Sequence, residues 1–444
     1  MGCSSANEKS EINNNKAIKN KIAFKCTYEI KDFNEVQIIN YKGINKRNEE
    51  IKSKIKILNG DKIEDLIFMK KFDKIGLNTI YFINEETLTD TGFLFNGCST
   101  LKQIEFISFD TSTVTNMNAM FQGCNELEYL NLSNFNTSNV SDMKFMFNEC
   151  HKLKEIKGIN NFNTINVTNM TAMFEGCNEL EYINLSNFNT SNVTDLGYIF
   201  NKCNKLKEIK GIDNFNTSKV TNMSAMFKGC KELEYLNLSN FNTSNVTDMG
   251  HMFAICQKLK KIQGISKFNT SKVINMKIMF CGCEVIEFLD LSNFDTSNVK
   301  NMDNMFSYCY KLKEIKGIEN FNLLNLTNAD EIFEECNELK NREELEFSFG
   351  ENINPNIHSM DELNVERKDI TINFTSTDQK IKYSLNCCNL DVFSLIKEKL
   401  CLKFDELKNK KIFFLSNGNI LKKNLTLEQN KIKDNEQILI CINE

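Results

Sequence analysis

The chain has 444 residues, with 17 Cys, 17 Met, 35 Phe, one Pro and no Trp. No run of about 18 uncharged apolar residues is present, which excludes an apolar helical membrane span. The net charge of −5 comes from 54 basic and 59 acidic residues, which argues against a nucleic-acid partner, and three His leave little material for His-based catalysis or metal binding.

The chain opens Met1-Gly2-Cys3-Ser4-Ser5-Ala6-Asn7. No apolar stretch comes after it, so a secretory signal is not expected. The segment resembles an N-myristoylation signal, with Gly2 exposed after Met removal and Ala6 where Ser or Thr is usual. Cys3 is the natural second acylation site. One acyl chain holds a protein only marginally whereas two anchor it, and Lys16, Lys19, Lys21 and Lys25 add attraction to acidic lipid. Residues 1–21 are therefore expected to be a disordered, acylated tether on the cytoplasmic face of a membrane, provided the host is eukaryotic.

Residues 22–87 carry short apolar runs, Val36–Ile39, Ile55–Leu58 and Thr79–Ile83, between Asn-Gly or Lys-rich turns. They read as a β-rich cap that seals the first coil of a repeat. From 88 to 340 the sequence repeats. Cys98, Cys124, Cys150, Cys177, Cys203, Cys230, Cys256, Cys283, Cys309 and Cys336 lie 26 or 27 residues apart, and after the first step the two intervals alternate into a 53-residue unit. The copy that begins at Cys124 has Leu127, Leu130 and Leu132 in the spacing L-x-x-L-x-L, which ends in the alternation of a strand. Met143, Met146, Phe147 and Cys150 then stand at i, i+3, i+4 and i+7, one face of a helix, with Ser141 placed as its cap and Asp142 or Asp248 at its positive end. The pattern predicts an α/β solenoid of leucine-rich-repeat type: parallel strand plus short helix per coil, about ten coils, with the repeat Cys and Phe95 to Phe333 in the core. The cysteines read as structural thiols. Neither Cys281-Gly282-Cys283 nor Cys387-Cys388 has partners at zinc spacing, so no metal and no cofactor are expected.

The run L-x-x-L-x-L resembles a leucine-rich repeat. The longer phrase F-N-T-S-N-V-T-x-M-x-x-M-F-x-x-C-x-x-L resembles the BspA-type repeats of bacterial and protist surface proteins, over about residues 88–340. Phe135 departs from the Asn or Cys usual in leucine-rich turns. The resemblance implies a binding or adhesion scaffold and brings no catalytic residue with it. N-x-S/T triplets such as Asn136-Thr137-Ser138 fall in the turns and are read as unused.

Two columns of the repeat bear on function. The fourth residue after each Cys runs Lys102, Glu128, Lys154, Glu181, Lys207, Glu234, Lys260, Glu287, Lys313 and then Lys340, so opposite charges become neighbours when coils stack. The next residue runs Gln103, Tyr129, Glu155, Tyr182, Glu208, Tyr235, Lys261, Phe288 and Glu314, and points out of the strand face. Rings on every second rung would stand about 10 Å apart. Two readings stand: these residues line a partner-binding surface, or the rings only cover Leu and pair across strands.

Residues 341–367 hold the single Pro and read as a linker. In 368–444, strand-like runs (Ile370 to Phe374, Ile381 to Leu385, Lys411 to Leu415, Gln437 to Cys441) flank a helical pattern from Val392 to Phe404. The order β-β-α-β-β suggests a β-grasp, an α+β fold. Phe414-Leu415-Ser416-Asn417-Gly418, Thr426-Leu427, Ile432 and Ile438-Leu439-Ile440 resemble ubiquitin-like domains, without a Gly-Gly tail. That implies an interaction module and no conjugation. The sequence thus reads as a non-enzymatic protein-protein scaffold with no small-molecule substrate, lipid-anchored through Gly2 and Cys3. Its candidate partner-binding residues are Tyr129, Glu155, Tyr182, Glu208, Tyr235, Phe288 and Glu314. A cell-surface adhesin and a regulator of ubiquitin signalling are the alternatives.

Overall fold

The computed structural model describes residues 21–40, 45–352, 369–377, 379–388, 400, 403–404, 407, 411–416, 419–421 and 431–443. Gly2 and Cys3 lie outside them. Two compact units are present. The first runs to Asp295 and includes Asn304–Phe321 and Phe333–Lys340; the second holds Thr296–Asp303, Asn322–Ile332 and the chain from Asn341.

The first unit begins with the expected β-rich cap. Strand β1 (Ile22–Ile30) alternates buried and half-buried residues after Phe24, so one face is core and the other is open. It pairs antiparallel with β6 (Gly76–Asn84), which in turn pairs with β3 (Ile55–Asn59) and through it with β4 (Lys62–Asp65). The other edge of β1 pairs antiparallel with β7 (Leu101–Phe106), with Phe24 opposite Phe106 and Cys26 opposite Ile104.

The repeat then stacks as a solenoid of about seven turns, with little helix. This corrects the expectation of about ten coils. The strand after Cys98 is β7, which belongs to the cap sheet, and residues 296–303 and 322–332 group with the second unit. The strands are three residues long: β8 (Tyr129–Asn131), β9 (Glu155–Lys157), β10 (Tyr182–Asn184), β11 (Glu208–Lys210), β12 (Tyr235–Asn237), β13 (Lys261–Gln263), β14 (Phe288–Asp290) and β15 (Glu314–Lys316). They pair in parallel two by two, β8 with β9 up to β14 with β15. The 53-residue unit is therefore a physical double coil. In its second half a glycine at positive φ, such as Gly211 (φ 85), opens a short 3₁₀ turn, Ile212–Asn214. The first half lacks this turn.

The expected short helix is absent, and the reason lies in the hydrogen bonds. Met117, Ala119, Phe121 and Gly123 donate their N–H groups to the carbonyls of Asp142, Lys144, Met146 and Asn148 in the next coil. The residues between turn back three positions: Met120 to Met117, Gln122 to Ala119, Cys124 to Phe121. With every second N–H used between coils, the i to i−4 ladder of a helix cannot form. The backbone instead takes positive φ at Ala119 (53°), Phe145 (57°), Ala172 (52°) and Tyr198 (61°). The burial pattern survives: Met143, Met146, Phe147 and Cys150 are all fully buried. Asp142 and Asp248 cap no helix. Each accepts the N–H two residues on, at 3.0 and 2.8 Å, and takes its place in a column of alternating Asp and Asn from Asp90 to Asn275.

Identical side chains stack along the core. Ten Phe rings from Phe95 to Phe333 lie 5.5–5.9 Å apart with planes within 13°. Each repeat Cys from Cys124 to Cys336 places Sγ 2.9–3.2 Å from the carbonyl of the Phe one coil back. Burial pushes Cys150 and Cys256 up to about 12, so these thiols stay protonated and unreactive. A buried Thr does similar work at the turn: Thr217 Oγ1 donates to the Asn242 carbonyl (2.9 Å) and accepts the Asn242 N–H (2.8 Å).

In the second unit, Arg342–Asn352 is helical within the expected linker. Beyond it lies a small mixed sheet of β16 (Asp369–Ser376), β17 (Lys382–Cys388), β18 (Lys411–Ser416), β19 (Asn419–Ile420) and β20 (Glu436–Asn443), in the order β17-β16-β20-β18-β19. Only β16 and β20 run parallel. Ile372, Phe374, Phe414, Ile438 and Ile440 form its core. The helix expected from Val392 falls largely outside the described residues.

Candidate binding face

Each three-residue strand buries its middle residue and presents the flanking two, because side chains alternate across a strand. The first position therefore projects outward all along the solenoid. Tyr129, Tyr182, Tyr235 and Phe288 are 56%, 46%, 48% and 49% exposed. Glu155, Glu208 and Glu314 are exposed on the rungs between. The register sets Tyr129 opposite Glu155, Tyr182 opposite Glu208, Tyr235 opposite Lys261 and Phe288 opposite Glu314. All seven residues expected from the sequence to bind a partner thus share one surface.

The charge column beside them is paired mostly within double coils. Glu181 meets Lys207 at 2.7 Å, Glu234 meets Lys260 at 2.6 Å and Glu287 meets Lys313 at 2.8 Å. Glu128 lies between Lys102 (2.6 Å) and Lys154 (2.8 Å), and their ammonium groups hold its carboxyl down at about 2. No ion pair among the described residues joins Lys154 to Glu181, so not every rung is clamped as the alternating signs suggest. Lys340, where the alternation ends, instead reaches Glu314 at 3.9 Å. A second column two residues after each Cys behaves alike: Lys152–Glu126, Lys205–Glu179 and Lys258–Glu232 close at 2.5–2.7 Å. Exposed pairs contribute little stability each, on the order of 0–1 kcal/mol. Their effect here is to neutralise the flanks. Glu155 and Glu208 have no ion-pair partner among the described residues.

The Tyr129 ring carries Lys154 Nζ at 5.7 Å from its centroid, and Tyr235 Oη donates to Gln263 Oε1. At the cap end, Gln103, Phe106, Glu128, Tyr129, Asn131 and Phe135 line a cleft of about 540 Å³. This cleft is not legible in the sequence, because the segment after Cys98 has the repeat's residues yet pairs antiparallel with β1 of the cap. The Asp/Asn column, by contrast, is legible as it stands in the alternation Asp142, Asn169, Asp195, Asn222. There Asn222 Nδ2 donates to Asp195 at 3.2 Å and Asn275 Nδ2 to Asp248 at 3.0 Å. Among the described residues no group of three or more His, Cys, Asp or Glu could hold a metal, and no helix is long and apolar enough to cross a membrane.

Coils stacked on shared columns of Phe, Cys and Thr, with an open strand face, define a β-solenoid repeat protein. The chain belongs to the family described as Mycoplasma protein of unknown function, DUF285, whose model matches residues 67–180, 151–262 and 230–346. This is a surface-protein repeat related to the BspA-like repeats. No curated protein and no solved structure matches the chain.

Proposed function

We propose that the protein is a non-enzymatic scaffold whose strand face captures a protein partner. The observation that carries this reading is the column of four half-exposed rings, each alternating with a charged residue. Rings with few rotamers give up little entropy on contact, which suits them as anchors. The test is partner capture by a Tyr182→Ala, Tyr235→Ala double variant. Tyr198, 40% exposed but outside the strands, is the control. Capture is expected to fall by about tenfold or more in the double variant, and to persist in Tyr198→Ala. Equal capture by both variants would falsify the assignment of this face.

The second unit is read as a further interaction module. The sheet order, with the first and last strands parallel at its centre, supports the β-grasp expectation. The tether through Gly2 and Cys3 is part of the same proposal, for a eukaryotic host. Metabolic labelling with a myristate analogue should mark the wild type and leave Gly2→Ala unlabelled and soluble; an unlabelled, soluble wild type removes the tether. Membership of a surface-protein repeat family favours a second reading, an adhesin using the same face.

A further inference from the structure

One place on the strand face departs from the repeat in several residues at once. A cleft of about 590 Å³ opens between β13 and β14, which no ladder joins, and Lys260, Lys261, Val285, Glu287, Phe288 and Lys311 line it. The equivalent positions one 53-residue unit earlier are Lys207, Glu208, Glu232, Glu234, Tyr235 and Lys258. A further unit back they are Lys154, Glu155, Glu179, Glu181, Tyr182 and Lys205. Both earlier sets hold two Lys, three Glu and a Tyr, whereas the cleft holds three Lys, one Glu, Phe and Val. Its lining is therefore three charge units more positive than theirs.

The ion pairs change with it. Lys205 and Lys258 each close on the Glu one coil back, at 2.7 Å. Val285 supplies no carboxylate for Lys311, which turns the other way to Glu338 at 2.6 Å. Glu287 is taken by Lys313, and Lys260 by Glu234. Lys261 stands exposed with no ion-pair partner among the described residues, beside a half-exposed Phe288 ring. An uncompensated ammonium beside exposed apolar surface suits a carboxylate carried next to an apolar side chain.

We propose that this cleft binds an acidic peptide segment, carboxylates on Lys261 and an apolar side chain on Phe288 and Val285. The proposal rests on the reading of the strand face as a partner surface and adds the partner's character: acidic at this end, facing Glu155 and Glu208 further back. The test titrates the full chain with fluorescein-labelled Glu-Glu-Phe-Glu-Glu, monitored by anisotropy. The comparison is a Lys261→Glu, Val285→Glu variant, which restores the residues of the two earlier units and should fold as they do. Affinity is expected to fall about tenfold or more in that variant, and to weaken with salt. Absent or equal binding by the two proteins overturns the proposal. So does displacement by an oligonucleotide at lower concentration than by the unlabelled peptide, since the cleft would then prefer phosphate. Tyr182 pairs with Glu208 and Tyr235 with Lys261, so Tyr182→Ala alone leaves this cleft intact, and peptide binding by that variant separates failure of the partner face from failure of the acidic site.

Discussion

Gly211→Ala is expected to destabilise the solenoid by about 2–5 kcal/mol, far more than Gly229→Ala. Both glycines have positive φ, 85° and 75°, so both substitutions incur the strain of a side chain in the left-handed region. They differ in what the new Cβ meets. At Gly211 it would lie 2.4 Å from Ser186 Cα and 2.6 Å from Ser186 N, fixed backbone of the preceding coil. At Gly229 the nearest atom, Lys202 Cα, is 3.4 Å away, an ordinary contact. Gly211→Ala must therefore pry two coils apart at the turn that closes a double coil. Because coils contact only their neighbours, the loss should show as a local opening as well as a lower midpoint. Urea denaturation and native-state hydrogen exchange read the two effects. Equal losses at Gly211 and Gly229 would mean that the close approach of the coils is relieved without cost.

Phe227→Ala is expected to cost about 3–5 kcal/mol. The ring is fully buried and stacks between Phe200 at 5.9 Å and Phe253 at 5.8 Å, with planes 11° and 6° apart. Removing it leaves a cavity between rings that continue on both sides, and the neighbouring coils cannot collapse inward without breaking their own stacks. Phe227→Leu should recover part of the loss, because it refills volume without restoring the stack. Tyr235→Ala, eight residues on but half exposed, should cost well under 1 kcal/mol, since surface changes rarely exceed about 0.5 kcal/mol. Thermal or urea midpoints rank the three. A midpoint for Phe227→Ala equal to that of Tyr235→Ala would deny the ring column its part in holding the coils.

These two residues also mark what the sequence could and could not say. Phe227 belongs to a column legible from spacing, because a strict interval in sequence becomes a stack in space once coils repeat. The outward position of Tyr235 is legible too, because the period of two along a strand does not depend on its neighbours. The Met run is ambiguous. Burial at i, i+3, i+4 and i+7 is shared by a helix and by this turn, and only the destination of the N–H groups separates them. Non-glycine residues at positive φ, such as Ala119 and Phe145, leave no mark in composition. The coil count runs high because the segment after Cys98 has the repeat's residues but pairs antiparallel with Phe24 and Cys26 of the cap. The cleft at Phe288 was within reach, since Lys261 and Val285 each break a column of Glu.

The strand face, and no other side of the solenoid, is the proposed partner surface. Site-specific photo-crosslinking tests it most directly, with a benzophenone amino acid placed in turn at Tyr182, Tyr235 and Tyr198. These rings are similarly exposed, at 46%, 48% and 40%, so accessibility alone does not distinguish them. The same crosslinked partner from Tyr182 and Tyr235, with none from Tyr198, is the expected result. A partner joined through Tyr198 and not through the two strand positions would contradict it.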